Sequence, residues 1–171
     1  MHAGLLEAVG PLIIVLLGLA AWSDLAIRTI PDWICIALAF AGLLIRGSVG
    51  LDALAISVGL AAVFFLALAS LHAHGALGGG DVKLAAALVL GLPVGGAYRF
   101  LMVTVLAGGV LGLLYLALRQ LPAPLPCPAG ASRLRRVWTA ERWRIRRKGS
   151  LPYGIAIACG GVAALLSGIG G

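Results

Sequence analysis

Two aspartates, Asp24 and Asp81, are the residues of this chain whose type and placement point most directly to chemistry. Asp24 ends the first apolar stretch, and Asp81 follows three glycines at 78–80, just before another apolar stretch. The 171 residues include only six acidic ones, so each carboxylate in such an apolar chain calls for a reason. Two aspartates that share a proton can activate water for peptide hydrolysis. The pair predicts aspartic peptidase chemistry, which needs neither a metal nor a cofactor.

The composition predicts the kind of protein that must position this pair. Hydrophobic residues make up 61% of the chain and charged residues 11%, and the mean hydropathy is +1.08. A soluble protein needs far more polar surface, so we expect an all-α, polytopic membrane protein in one domain, residues 1–171. The net charge of +7 does not indicate a nucleic-acid partner, because most basic residues fall in one stretch after residue 118.

Six apolar segments predict about six transmembrane helices. A helix rises 1.5 Å per residue, so roughly 20 residues cross a hydrocarbon core. The second and fourth segments are short, and the fourth is the weakest candidate for a full span. The expected segments are Leu5–Trp22, Trp33–Ile45, Ala53–Leu71, Leu84–Ala97, Leu101–Leu118 and Leu151–Ile169.

The arginines and lysines predict the orientation of these spans. If the connection at 119–150 is cytoplasmic, alternation places 23–32 and 72–83 on the same side, together with eleven of the thirteen basic residues. Only Arg46 and Arg99 then lie outside. This orientation places both aspartates at the cytoplasmic face and both termini on the other side.

The connection at 119–150 is basic and proline-rich. Four prolines between 122 and 128 exclude an ordinary helix there and predict an extended linker. The segment Arg133–Lys148 that follows places Leu134, Trp138 and Ile145 near one helical face, which fits binding to anionic lipid headgroups. We interpret Glu141 as the helical partner of a neighbouring arginine.

Other residues have simpler interpretations than a functional site. His72 and His74 lack further ligand residues beside them, so we interpret them as solvated histidines rather than a metal site. Asp32 precedes the second span, where we expect it to cap the helix. Glycines recur within the spans, and they fit helix packing in the bundle as well as contacts between copies in a homo-oligomer.

Read together, these motifs resemble the type IV prepilin peptidases, a family of GxGD-type membrane aspartic peptidases. Asp24 is followed by an Arg-Thr-Ile-Pro-Asp tract at 28–32, then by Gly-Gly-Gly-Asp-Val-Lys at 78–83 and by Pro-Tyr-Gly at 152–154. The short chain is similar to the compact members that serve Flp-type (tight-adherence) pili.

The resemblance implies which residues form the site. Asp24 and Asp81 would be the catalytic pair. Substrate binding or the shape of the loop would involve six further residues: Gly78, Gly80, Lys83, Pro152, Tyr153 and Gly154. We expect Gly78–Gly80 to use positive φ angles and to let a substrate backbone come close. The polarity of the helix ends suggests that Asp24 is protonated and Asp81 ionised at rest.

The resemblance also implies a substrate and a location. The substrate would be a prepilin-like membrane protein whose short leader is cut at the cytoplasmic face of the bacterial inner membrane, with pilus-assembly proteins as further partners. Larger members carry an insertion with paired cysteines that is linked to N-methyltransferase activity. This chain lacks that insertion, so the resemblance does not extend to that activity. The alternatives are another GxGD peptidase, acting on preflagellins or signal peptides, and a non-enzymatic transporter or assembly scaffold.

Overall fold

The computed structural model describes residues 2–121, 132–146 and 151–169, and all regular structure in these ranges is α-helical. This confirms the expected all-α class. The helices are α1 (His2–Ile27), α2 (Asp32–Val49), α3 (Leu51–Ala73), α4 (Gly79–Leu90), α5 (Val94–Arg119), α6 (Arg133–Arg146) and α7 (Tyr153–Ile169).

Four helices are long and apolar enough to cross a membrane, namely α2, α3, α5 and the part of α1 from Ala8 to Ile27. α7 contributes a shorter apolar stretch, Tyr153–Ser167. The chain is therefore a polytopic membrane protein. The expected number of about six spans compares with four helices of sufficient length and one shorter apolar helix among the described residues. The second segment, which looked short, reaches 18 residues because the helix also includes Asp32 and the residues from Arg46 to Val49.

The fourth segment differs from the expectation. α4 has 12 residues and ends at Leu90, and residues 94–97 belong to α5 instead. Pro93 cannot continue a helix, and it is the N-cap of α5. The Gly91 backbone packs against Gly42 of α2, where an added Cβ would come within 2.8 Å of the Gly91 nitrogen.

The break between α4 and α5 exposes backbone groups that need partners in an apolar environment. Ser57 of α3, which is buried, donates from its hydroxyl to the Leu92 carbonyl oxygen over 3.2 Å. The Arg46 Nε atom donates in turn to the Ser57 hydroxyl over 2.8 Å. These contacts stabilise an interrupted helix within the bundle.

The helices pack in an order that places α4 and α7 in the middle of the bundle. α4 contacts α2, α3 and α7, while α1 contacts both α2 and α7. α3 packs on α2 and α4 at one edge, and α5 packs on α7 at the other. The largest fully buried apolar side chains are Phe100, Leu17, Ile34, Leu84 and Val89.

α6 is the helix of the basic connection, and it packs against α5 and α1. Leu134, Trp138 and Ile145 line one apolar cavity of about 480 Å³ together with residues of α1, α5 and α7. This confirms that the three side chains share a helical face. The prolines at 122–128 and the last basic residues of the connection, Arg147 and Lys148, lie outside the described residues.

Candidate active site

The structure brings Asp24 and Asp81 to the same cavity. Asp24 lies in the last turn of α1 and Asp81 in the first turn of α4, and each residue is 6% exposed. Both line a cavity of about 530 Å³. Two segments that are 57 residues apart in sequence therefore present their carboxylates to one open cavity, as the aspartic peptidase hypothesis requires.

Asp24 is held by the start of α7. The Gly154 backbone nitrogen donates to Asp24 Oδ2 over 2.9 Å. A Cβ at Gly154 would lie 2.9 Å from both the Cβ and the Oδ2 atoms of Asp24, so only glycine fits without displacement. The hydrogen bond fixes the Asp24 carboxyl at the cavity, and the assignment of the resting proton to Asp24 stays a prediction.

The glycines before Asp81 provide space rather than unusual backbone angles. Gly78 has a φ of −74°, and Gly79 and Gly80 lie within α4, so the expected positive φ angles are wrong. A Cβ at Gly78 would lie 2.8 Å from Asp81 Oδ2, and one at Gly80 would lie 3.3 Å from the Cβ of Ile30. Both glycines also line the cavity.

The carboxylate of Asp81 has an unused acceptor. Its Oδ1 atom is buried and has no hydrogen-bond partner among the described residues. Asp81 lies outside the four candidate spans. Burial, and after it the negative charge of Asp24, raise the pKa of the Asp81 carboxyl to about 6. A carboxylate with such a pKa is suited to accept a proton near neutral pH.

Lys83 and Asp32 form an ion pair at the rim of the cavity. Lys83 Nζ lies 2.8 Å from Asp32 Oδ1, and both side chains are exposed. This exposed pair links Asp32, the first residue of α2, with Lys83, the fifth residue of α4. The expected capping role of Asp32 is wrong, because Pro31 is the N-cap and Asp32 is the first residue of the helix.

A buried ion-pair network on α6 was missed by the sequence interpretation. Glu141 is 3% exposed and accepts hydrogen bonds from Arg28 and from the Tyr115 hydroxyl. The expected partner within the helix is also present, because Arg144 Nη1 lies 3.2 Å from Glu141 Oε2. Arg28 lines the same cavity as the two aspartates. An acidic residue within a strongly basic segment was the only signal of this network in the sequence.

The remaining candidates lie around this arrangement. His72 lines the cavity, and its Nδ1 atom lies 2.8 Å from the Leu77 carbonyl oxygen. Pro152 is buried directly before α7, and Tyr153 is the first residue of that helix. Within the described ranges, no group of three histidine, cysteine or acidic residues could hold a metal ion. Chemically, the site offers two carboxyl groups to whatever occupies one cavity of about 530 Å³.

Comparison with known proteins gives one match. The model of the type IV leader peptidase family matches residues 12–116, a range that contains both aspartates and the glycine loop. No curated protein and no solved structure matches the chain. Since the matched range covers more than half of the sequence, the chain belongs to the type IV leader peptidase family.

Proposed function

We propose that this protein is an aspartic endopeptidase that removes the short leader of type IV prepilin-like membrane proteins. One observation carries the proposal: the carboxylates of Asp24 and Asp81 line one cavity, and the buried Asp81 Oδ1 atom has no hydrogen-bond partner among the described residues. A carboxylate oxygen in that state can accept a proton from a bound water molecule.

The reaction follows from the two carboxylates. The ionised aspartate takes a proton from water while the resulting hydroxide attacks the carbonyl carbon of the scissile peptide bond. The protonated aspartate gives its proton to the carbonyl oxygen. When the neutral tetrahedral intermediate collapses, one of its two hydroxyl groups returns a proton to the pair as the C=O bond re-forms. The C–N bond breaks, and the leaving amine takes up a proton from the pair. No covalent enzyme intermediate forms. The pair then shares one proton again.

The surroundings of the cavity fit a substrate with an apolar helix next to the cleavage site. A second cavity of about 540 Å³ extends between α2, α3 and α4, and Asp32 and Lys83 line both cavities. Its other lining residues are small or apolar, such as Ala61, Ala87 and Leu90. An apolar helix could occupy this groove while the leader enters the polar cavity.

The proposed setting is the bacterial inner membrane, with the cavity open to the cytoplasm. The concentration of basic residues in the connection at 119–150 supports this orientation. α6 would lie against anionic headgroups through its arginines. Pilus-assembly proteins remain proposed partners, as does a second copy of the chain.

Cleavage of a co-expressed prepilin in membranes tests the proposal. We expect the wild-type protein to remove the leader, and Asp24→Asn and Asp81→Asn to lose this activity by a factor of about 10³ or more, because each change removes a titrating group. Asp52→Asn, an exposed residue in the first turn of α3, is the matched control and should cleave normally.

The cleavage products are separated by gel electrophoresis and the new N-terminus is identified by mass spectrometry, at equal protein level for all variants. Full cleavage by either active-site variant would contradict the paired-aspartate mechanism. A cut within the apolar helix, rather than before it, would favour signal-peptide-type cleavage.

A further inference from the structure

A partly buried cation and a buried anion lie beside the aspartate pair, in addition to the groups required by the proposed reaction. The Arg28 side chain is 17% exposed and that of Glu141 is 4% exposed, and the two form an ion pair between the end of α1 and α6. Burying charges is costly unless they are paired. The Glu141 carboxylate therefore neutralises the Arg28 guanidinium within the structure.

Arg28 adopts a backbone conformation that is unfavourable for its residue type. Its φ angle is 59°, and it is the only non-glycine residue with positive φ among the described residues. Its nitrogen donates to the Asp24 carbonyl oxygen over 3.0 Å, which closes the end of α1 in a position where glycine is usual. An arginine here costs about 1 kcal/mol or more relative to glycine.

The guanidinium of Arg28 is only partly satisfied. The Nη2 atom binds Glu141, whereas the buried Nε and Nη1 atoms have no hydrogen-bond partner among the described residues. Arg28 lines the cavity of the pair, and its charge acts on both aspartates. The acidic side chain that pairs with this guanidinium is therefore Glu141, and not an aspartate of the pair.

α6 is held in the position that this contact requires. Arg144 binds Glu141 and also donates to the Leu25 and Ala26 carbonyl oxygens at the end of α1, over 3.0 and 3.1 Å. Tyr115 of α5 donates its hydroxyl to Glu141. The Glu141 carboxylate is therefore held by contacts from α5 and α6, and α6 itself is bound to the end of α1. This carboxylate in turn positions the Arg28 side chain.

We propose that Glu141 of α6 is a positioning residue of the active site, which holds the Arg28 charge beside the aspartate pair and balances it. This inference rests on the proposed function, because it assigns the pair its role in proton transfer. It makes α6 part of the active site as well as a membrane-surface helix. The charged and titratable groups around the pair in the described structure are Arg28, Asp32, His72, Lys83, Tyr115, Glu141 and Arg144.

The proposal predicts opposite effects of the two charges on the pH dependence of cleavage. Without the negative charge of Glu141, Arg28 is uncompensated and favours ionised aspartates, so the acid limb of the pH–rate profile moves to lower pH. Without the positive charge of Arg28, the aspartates ionise less readily, so the limb moves to higher pH. Removing both charges leaves the net charge beside the aspartates unchanged, so the acid limb returns to its wild-type position.

The test compares Glu141→Gln, Arg28→Gln and the double variant with wild type, using purified protein and a prepilin substrate across the pH range. We expect shifts of about 0.5 pH unit or more in opposite directions for the single variants, and a profile near wild type for the double variant. Asp52→Asn and Arg99→Gln are the matched controls, because both residues are exposed and distant from the cavity.

A second measurement does not depend on cleavage. Infrared titration of the protonated carboxyl band, assigned with Asp24→Asn and Asp81→Asn, reports the ionisation of the pair directly and should show the same opposite shifts. If wild type cleaves no prepilin, the proposed function fails while this titration still decides the inference. Single variants that shift alike, or no further than the controls, would overturn it, since a purely structural role predicts no opposite shifts.

Discussion

At the scale of single residues, glycines lie so close to the two aspartates that a larger side chain would collide with the carboxyl groups. The clearest case is Gly154, whose nitrogen binds Asp24 and whose Cα faces that side chain directly. The resemblance in sequence implied a substrate-binding or loop-shaping role for this glycine, and the structure adds its hydrogen bond to Asp24.

Gly154→Ala should lower the rate of prepilin cleavage roughly tenfold or more, because the new methyl group would lie 2.9 Å from Asp24 Oδ2 and displace the carboxylate. Gly109→Ala on α5 is the control, since a Cβ there has no atom within 4 Å. The rates are measured with purified proteins at equal concentration. Equal rates for the two variants would show that the Asp24 position is not critical.

Residue types explain which part of the site could be predicted from sequence. Asp24 and Asp81 stood out because carboxylates are rare in this apolar chain, and the cavity does contain both. Arg28 and Glu141 did not stand out as a pair, because 113 residues separate them and ordinary surface roles explained each one. A contact between distant segments follows from tertiary packing, which a single sequence does not report.

At the scale of elements, the short α4 is the main difference from the expected arrangement. The hydrophobic run continues past Leu90, so hydropathy alone extends the segment to Ala97. The helix nevertheless ends where Gly91 packs on Gly42 and Pro93 begins α5. Backbone chemistry outweighs hydropathy at this position, because neither glycine nor proline favours the interior of a helix.

Close packing between α2 and this break predicts a stability effect. Gly42→Ala should lower the free energy of unfolding by about 1–3 kcal/mol, because the added Cβ would lie 2.8 Å from the Gly91 nitrogen and must displace backbone. Gly47→Ala on the same helix, where a Cβ meets nothing within 4 Å, should have no such effect. Denaturant unfolding in detergent measures both. Similar losses in the two variants would contradict the packing argument.

At the scale of the whole molecule, the basic residues predict how the bundle is oriented in the membrane. The aspartate cavity, α6 and the start of α7 lie at one end of the bundle, as an orientation with one basic face requires.

Reporter fusions test this orientation. We expect a fusion within the connection at 119–150 to place its reporter in the cytoplasm, and a fusion after residue 169 to place it on the opposite side. A reporter that fluoresces only in the cytoplasm and an enzyme active only outside give complementary readouts. Cytoplasmic signal from both positions would show that the number of crossings between them is even, and would contradict the predicted topology.

The short α4 also has an electrical consequence. Its 12 residues extend about 18 Å, and a cavity lies at each end, one with Asp81 and one of about 430 Å³ with Leu92 and Pro93. Where water fills both cavities, the transmembrane voltage falls mainly across this short helix instead of a hydrocarbon core of about 30 Å. Leu84, Leu88 and Val89 of this helix are buried, so that voltage would act across a layer of tightly packed apolar side chains.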